Sequence, residues 1–172
     1  MSVVQPDPPS PGSAPLRLLF VCSGNTCRSP LAEILAHSVA RRGGMGSVEV
    51  RSAGTSAVPG SPASGGARRV ALRHGLSLEY HSSTQLSAEL VGWADIIMAM
   101  GPSHMEAIKA LGGGEKVVLL GAFAEGVEGE GNGSGLAVPD PFGGDDGMYQ
   151  ETLETLERYV TLAMRRMAGG NG

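Results

Sequence analysis

The 172-residue chain has the length of a single domain, and 41% of its residues are hydrophobic, enough to build a sizeable core. Its formal net charge of −4 argues against a general nucleic-acid binder. Two cysteines cannot supply a disulfide framework. The sequence also has no run of about 18 apolar residues, which is the length that predicts a membrane span. We therefore expect a monomeric cytoplasmic protein that binds neither nucleic acid nor a membrane.

The two ends of the chain differ in composition from the rest. Residues 1–15 contain five Pro and three Ser, with no hydrophobic period and no positively charged side chain. We predict that they form a disordered tail and not a secretory signal. One domain is predicted over residues 16–168, followed by a short flexible tail over residues 169–172.

The predicted domain alternates strands and helices. A buried strand over Leu16–Val21 precedes a helix that begins at Pro30 and ends at Gly43-Gly44. The later elements are a strand over 47–53, a helix over 63–75, a short helix over 87–92, a strand over 95–100, a helix over 102–111, a strand over 116–120, a Gly-rich loop over 121–138 and a long helix over 145–167. This alternation predicts an α/β fold with a parallel sheet and helices on both faces. Ligands of such folds bind at the carboxyl ends of the strands.

The loop after the first strand carries the candidate chemistry; it reads Cys22-Ser23-Gly24-Asn25-Thr26-Cys27-Arg28-Ser29-Pro30. Backbone N–H groups between a strand and a helix can form an anion cradle, and the helix N-terminus adds positive partial charge. Arg28 can grip two phosphate oxygens, and Gly24 allows backbone angles that a side chain resists. A positive field also favours the thiolate of Cys22, which is the form that attacks phosphorus. A buried packing cysteine is the alternative, but this loop combines a nucleophile, an anion binder and a cation.

This loop resembles the signature of the low-molecular-weight protein phosphatase family. Three other segments also resemble that family: Arg51–Thr55, Trp93–Met100 and Val138–Asp145, the last with an Asp140-Pro141 pair. The likeness runs from about residue 16 to residue 167, and it implies a flavodoxin-like sheet of four parallel strands.

The resemblance implies a two-step displacement through a cysteinyl-phosphate. Cys22 would attack phosphorus while Arg28 and the phosphate-binding loop, residues 23–27 with Ser29, hold the phosphate oxygens. Asp140 would protonate the leaving group and then activate the hydrolytic water. Taken alone, an Asp before Pro more often forms a turn.

The resemblance also implies supporting roles. Ser29 matches a hydroxyl that stabilises the thiolate, and Asn25, Ser52 and His81 match a network that pins the loop. Cys27 matches a second loop cysteine that can form a reversible disulfide with Cys22. We assign the other three histidines, His37, His74 and His104, to helix surfaces or ends. No pair of histidines has the spacing of metal ligands, so we expect no metal, and we expect no cofactor.

Two positions bear on the substrate, which is expected to be a phosphoprotein. Thr26 stands where phosphotyrosine-directed members often carry Ile, and Phe142 stands where many members begin a pair of tyrosines. The loop and the segment Asp140–Gly144 instead resemble the protein-arginine-phosphatase branch. We therefore favour phosphoarginine, with phosphotyrosine a close second.

Three other function classes fit the sequence less well. An arsenate reductase that relays a disulfide needs a further cysteine pair, and none follows Cys27. A phosphocysteine carrier of a sugar-transport system would not need Asp140 to release phosphate. A non-catalytic phosphoprotein-binding module would need neither Cys22 nor Asp140. Release of phosphate from an aryl phosphate separates the enzyme from the carrier and the binding module.

Overall fold

The structure is a computed structural model that describes residues 14–127 and 134–169. Most of the predicted N-terminal tail, the last three residues of the predicted C-terminal tail and residues 128–133 of the predicted Gly-rich loop lie outside the described residues.

Four parallel strands form one sheet, and their order across the sheet is β2-β1-β3-β4. Their bounds are β1 Leu16–Cys22, β2 Val48–Gly54, β3 Ile96–Ala99 and β4 Val117–Leu119. In the register of the sheet, Leu18 pairs with Val50 on one side and with Ile96 on the other. The predicted four-stranded parallel sheet is confirmed, and β1 lies where the connections diverge to its two sides.

Helices cover both faces of this sheet. Within the described residues they are α1 Arg28–Gly43, α2 Gly65–Arg73, α3 Ala88–Trp93, α4 Pro102–Ala110, α5 Leu120–Glu125 and α6 Asp146–Gly169, and a 3-10 turn at Ser134–Leu136 lies between α5 and α6. The predicted α/β, flavodoxin-like architecture is confirmed. Within the described residues, no helix combines the length and the apolarity needed to cross a bilayer.

Side chains of β1 alternate between two hydrophobic clusters. Leu18 and Phe20 pack with α1, α2 and α6, whereas Leu19 and Val21 pack with α3 and α4. All four side chains are at most 1% exposed. Because both faces of the strand are buried, its sequence is a continuous apolar run, as expected for a parallel sheet.

The apolar stripe of α6 follows helical spacing and faces the core. Tyr149, Leu153, Leu156 and Val160 are buried on it. They pack against the helices that cover the same sheet face. The sequence prediction for this helix is therefore confirmed, with its end two residues later than expected.

The predicted loop over 121–138 is wrong in its first part, because α5 occupies Leu120–Glu125. The segment contains only one Gly within the helix, and Leu120 and Ala124 are buried there. This burial against the core stabilises a short helix that its own propensity would not sustain. The helix ends at Gly126, whose φ of 71° requires the left-handed region.

Two tertiary contacts position the segment between residues 138 and 146. The Val138 N–H donates to the Met100 carbonyl at 2.8 Å, which ties this segment to the end of β3. Asp146 accepts from Arg69 at 3.0 Å and from Arg73 at 2.8 Å, which ties the start of α6 to α2. The segment that carries Asp140 is therefore anchored at both of its ends.

Candidate active site

A cavity of about 250 Å³ opens at the carboxyl end of β1. It is lined by Cys22, Ser23, Gly24, Thr26, Cys27, Arg28, Ser56, Asp140 and Phe142. The structure thus brings the two motifs that the sequence singled out, more than 100 residues apart in the chain, to one cavity. This is the edge of the sheet at which α/β folds bind ligands.

The carbonyl groups of the loop after β1 are hydrogen-bonded to the surrounding protein. Five loop carbonyls, those of Cys22, Ser23, Asn25, Thr26 and Cys27, accept hydrogen bonds from Thr55 N, Ser56 N, His81 Nε2, Ser64 N and Leu31 N. Within residues 14–127 and 134–169, the N–H groups of residues 23–27 have no protein acceptor. Four of the five residues that carry these donors line the cavity, and the N-terminus of α1 adds its positive dipole end.

Asn25 holds the strained point of the loop. Its φ of 56° is the one left-handed value among non-glycine residues in the described ranges. The fully buried side chain donates to Ser29 Oγ at 2.7 Å and to Ser52 Oγ at 2.9 Å, and it accepts from Thr84 N at 2.9 Å. Three hydrogen bonds therefore stabilise a conformation that costs about 1–3 kcal/mol.

The prediction that Gly24 supplies the special backbone angles is wrong. Gly24 does not occupy the left-handed region, and a methyl group there would lie 3.5 Å from Thr26 Oγ1, an ordinary contact. The close approach is instead at Gly54, at the end of β2. A side chain there would overlap the Ser23 carbonyl and lie 2.8 Å from Asn25 N.

His81 supports the loop from outside, as its predicted place in the network requires. Its Nε2 donates to the Asn25 carbonyl at 2.7 Å. Burial lowers the pKa of His81, and the hydrogen bond to Asn25 opposes that effect in part. The ring is therefore neutral near pH 7 and carries its proton on Nε2.

The Cys22 sulfur is buried and lies 2.9 Å from Ser29 Oγ. Because Ser29 Oγ accepts a hydrogen bond from Asn25, its own proton can be donated to the sulfur. The Ala53 carbonyl, at 3.4 Å, is a more distant acceptor for the same proton. The Asn25 amide thus donates to the Ser29 hydroxyl, and the Ser29 hydroxyl can in turn donate to the Cys22 sulfur.

Arg28 is the cation of the cavity and is only 7% exposed. Its Nη1 donates to the Val138 carbonyl at 3.0 Å, and its Nη2 donates to Ser23 Oγ at 3.4 Å. Nη2 also lies 3.6 Å from Asp140 Oδ2. A buried guanidinium held at these points is set to bind an anion in the loop.

Asp140 stands across the cavity from the loop, and its side chain is half exposed. Its Oδ1 accepts from Phe142 N at 3.1 Å, which forms the turn that an Asp in this position favours. Its Oδ2 faces Arg28. The Phe142 ring is 73% exposed at the rim of the cavity.

Cys27 is held by hydroxyl groups that the sequence analysis did not connect with it. Its sulfur lies 3.2 Å from Ser64 Oγ and 3.4 Å from Tyr149 OH, and these two hydroxyls lie 3.1 Å apart. The sequence predicts for Tyr149 only a place in the helix over 145–167. Burial raises the pKa of Tyr149, and the neighbouring Cys27 adds to this effect, so the phenol remains protonated.

His104 was predicted on a helix surface or end, and the first half of that prediction is wrong. It lies in the first turn of α4, but it is 4% exposed, and its Nε2 is 2.9 Å from Ser23 Oγ. Burial, with a further contribution from Arg28, lowers its pKa to about 4. The other two assigned histidines are exposed, His37 on α1 and His74 at the end of α2. The spacing of His104 from the loop, 81 positions, gave no sequence signal.

Glu33 is a second residue that the sequence analysis missed. It lies on α1 one turn after Ser29, and burial raises its pKa to about 7, while the Ser52 hydroxyl lowers it in part. Within the described part of the chain, no three His, Cys, Asp or Glu side chains gather as a metal site would require.

The arrangement can bind a tetrahedral oxyanion and transfer it to sulfur. Backbone donors and Arg28 meet the anion, the Cys22 sulfur lies at the base of the loop, and a carboxyl group faces it. Donors placed around developing negative charge are the main requirement for phosphoryl transfer.

Comparisons with known proteins agree with this chemistry. A family model described as low molecular weight phosphotyrosine protein phosphatase matches residues 17–168. The protein-arginine-phosphatase of Bacillus subtilis (strain 168) is 39% identical over 152 residues, covering 87% of this chain and 95% of that protein. The low molecular weight protein-tyrosine-phosphatase Etp of Escherichia coli (strain K12) is 34% identical over 143 residues, covering 82% and 87%.

A solved structure is similar over the same region. It is a cysteine-to-serine mutant of the YwlE arginine phosphatase whose active-site serine is phosphorylated. It superposes with a TM-score of 0.79 at 35% identity, covering 88% of this chain and 95% of that chain. The chain therefore belongs to the low-molecular-weight phosphotyrosine protein phosphatase family and is an enzyme of the low-molecular-weight protein phosphatase class.

Proposed function

We propose that this enzyme hydrolyses phosphoarginine in proteins through a phosphocysteine formed at Cys22. The observation that carries the proposal is the loop after β1, beside the buried Arg28. Its carbonyls are paired with the surrounding protein, whereas its N–H groups are left for an anion. Phosphoprotein substrates follow from membership of the family.

The proposed reaction has two steps. The Cys22 thiolate attacks phosphorus, the bond to the leaving group breaks, and Asp140 gives its proton to the departing nitrogen or oxygen. Water then attacks the phosphocysteine, Asp140 takes the proton of that water, and the phosphorus–sulfur bond breaks to release inorganic phosphate. In both steps Arg28 and the loop donors hold the phosphoryl oxygens, and Ser29 stabilises the thiolate when it leaves.

Thr26 supports phosphoarginine over phosphotyrosine. Its half-buried side chain lines the cavity, and a threonine leaves both space and a hydroxyl beside the group bonded to phosphorus. A guanidinium carries several N–H donors, and burying them without an acceptor is costly. The similarity to the protein-arginine-phosphatase of Bacillus subtilis supports the same choice.

Phosphotyrosine is the second candidate because of Phe142. The exposed ring at the rim can stack on a phenyl ring as well as on a planar guanidinium. The similarity to the tyrosine phosphatase Etp points to the same alternative.

The deciding experiment measures kcat/KM for a phosphoarginine peptide and a phosphotyrosine peptide, with Cys22→Ser as the inactive control. We expect Thr26→Ile to lower the phosphoarginine-to-phosphotyrosine ratio at least about tenfold, or roughly 1.4 kcal/mol of transition-state binding. Thr26→Val separates the two causes, because it keeps the size of threonine and removes the hydroxyl. A ratio in the unmodified enzyme that favours phosphotyrosine would make phosphotyrosine the preferred proposal, and an unchanged ratio in Thr26→Ile would remove Thr26 as the selector.

We further propose that the catalytic domain, residues 16–168, acts as a monomer in the cytoplasm and binds no nucleic acid. A net charge of −4 and a cavity formed within one chain support this proposal. Light scattering after size exclusion tests the monomeric state, and a dimer at working enzyme concentrations would contradict that part of the proposal.

A further inference from the structure

His104 is a buried polar residue at the site to which the proposed reaction gives no role. Its Nδ1 is the one buried side-chain nitrogen or oxygen without a hydrogen-bond partner in residues 14–127 and 134–169. An unpaired buried polar atom costs about 1–3 kcal/mol, so its presence calls for an explanation other than stability. The other ring nitrogen, Nε2, contacts Ser23 Oγ at 2.9 Å.

Of the two hydrogen bonds at Ser23 Oγ, chemistry fixes the direction of the one from Arg28, and the direction of the one with His104 depends on the tautomer of the ring. Ser23 Oγ accepts from Arg28 Nη2, because a guanidinium has donors only. The Ser23 proton is then available for Nε2 of His104. The ring can accept a hydrogen bond from Ser23, because it is neutral near pH 7: burial and Arg28 lower the pKa of His104 to about 4, with Asp140 opposing them in part.

Both anchors of Arg28 lead back to one segment of the chain. The Val138 carbonyl, which accepts from Nη1, belongs to a residue whose N–H donates to Met100. The Ser23 hydroxyl, which accepts from Nη2, is bonded to His104. Residues 100–104, which run from the end of β3 into the first turn of α4, therefore support the guanidinium through two separate contacts.

We propose that His104 is a positioning residue for Arg28. Its neutral ring accepts a hydrogen bond from the Ser23 hydroxyl, which leaves Ser23 Oγ as an acceptor for Arg28 and holds the guanidinium in its phosphate-binding orientation before an anion enters. Fixing a binding group in advance removes an ordering cost from binding and from the transition state. This inference rests on the proposed function, and it assigns no contact between His104 and the phosphoryl group.

Two measurements test it. The first is inorganic phosphate binding to the Cys22→Ser protein by calorimetry, and the second is turnover of p-nitrophenyl phosphate by the enzyme with Cys22 intact. We expect His104→Ala to weaken phosphate binding about tenfold and to lower kcat/KM by a similar factor, mainly through KM. His104→Gln, whose amide oxygen can accept a hydrogen bond from Ser23, should recover most of the lost phosphate affinity and most of the lost kcat/KM. His37→Gln, a substitution at an exposed histidine of α1, should change neither.

A double-variant cycle and a spectrum separate positioning from a merely structural role. If His104 acts through Ser23, the effect of His104→Ala on phosphate binding should largely disappear in a Ser23→Ala background. The ¹⁵N shift of His104 in the unmodified protein should show an unprotonated Nε2. Additive losses, a protonated Nε2 or unchanged phosphate binding in a folded His104→Ala protein would each overturn the inference.

Failure of the proposed function is distinguishable from failure of this inference. An unmodified enzyme that binds phosphate in a His104-dependent manner but releases none from a phosphoprotein would refute the function alone. An active enzyme whose phosphate affinity does not depend on His104 would refute the inference alone.

Discussion

At the residue scale, Asp140 uses its two carboxylate oxygens for different contacts. Oδ1 accepts from Phe142 N and shapes the turn, whereas Oδ2 faces Arg28. An Asn at this position keeps an oxygen for the turn but cannot deliver a proton. The substitution therefore removes the proposed acid and leaves the loop geometry in place.

We predict that Asp140→Asn lowers kcat/KM on an alkyl phosphate by about 10²–10⁴-fold, because kcat/KM reports the step in which the leaving group departs and a poor leaving group needs the proton. The loss on p-nitrophenyl phosphate should be less than about tenfold, since that leaving group departs as an anion. Steady-state rates with the two substrates check this. Equal, small losses on both would leave Asp140 as a turn residue only.

Cys27 provides a second prediction at this scale. We predict that peroxide oxidises the Cys22 thiolate to a sulfenic acid, and that the Cys27 sulfur displaces water from it to form a disulfide. A dithiol should then restore activity, and Cys27→Ser should lose that recovery. Tyr149→Phe, which removes a hydroxyl 3.4 Å from the Cys27 sulfur but keeps the thiol, is the control and should still recover. Full recovery in Cys27→Ser would reduce Cys27 to a packing residue.

At the scale of elements, α2 and α6 meet at Gly66. A methyl group at Gly66 would overlap the ring of Tyr149, whose hydroxyl contacts Cys27. At the preceding residue, Gly65, a methyl group would lie 3.0 Å from the end of the flexible Arg69 side chain. A methyl group thus has much less space at Gly66 than at the adjacent Gly65.

We predict that Gly66→Ala lowers the free energy of unfolding by about 1–3 kcal/mol, because the core has no space for the added carbon. Gly65→Ala should change it by less than about 1 kcal/mol, with helix propensity favouring the alanine. Urea denaturation of both variants measures the difference. Equal stabilities would show that Tyr149 moves aside at little cost.

At the scale of the whole molecule, Glu33 makes stability depend on pH. Its pKa is about 7 in the folded protein against 4.5 as the ordinary value. Between these values the folded state binds more protons than the unfolded state, so stability falls as pH rises through that range. A change of one in pKa corresponds to about 1.4 kcal/mol, and partial exposure of Glu33 reduces the effect.

We predict that the free energy of unfolding falls by about 1–3 kcal/mol from this group between about pH 5 and pH 8. Glu33→Gln should remove that fall and be more stable than the parent at the higher pH. The exposed Glu79→Gln is the matched control and should keep the parent's profile. Parallel profiles of the parent and Glu33→Gln would contradict the prediction.

The sequence by itself determined the features that depend on neighbours in the chain. The apolar run of β1, the alternation of strands and helices and the loop from Cys22 to Arg28 are local patterns, and they predicted the parallel sheet and the edge at which the site lies. The local composition did not predict the α5 helix, because that helix is stabilised by burial of Leu120 and Ala124 against the core.

Only the tertiary structure decided which distant side chains meet at the loop. His104 lies 81 positions from Ser23, and Tyr149 lies 122 positions from Cys27. A histidine at the start of one helix and a tyrosine on an apolar stripe have ordinary local roles in the sequence. Their burial and their hydrogen-bond partners are set by how α4 and α6 pack around β1, and that packing also left His104 neutral beside Arg28.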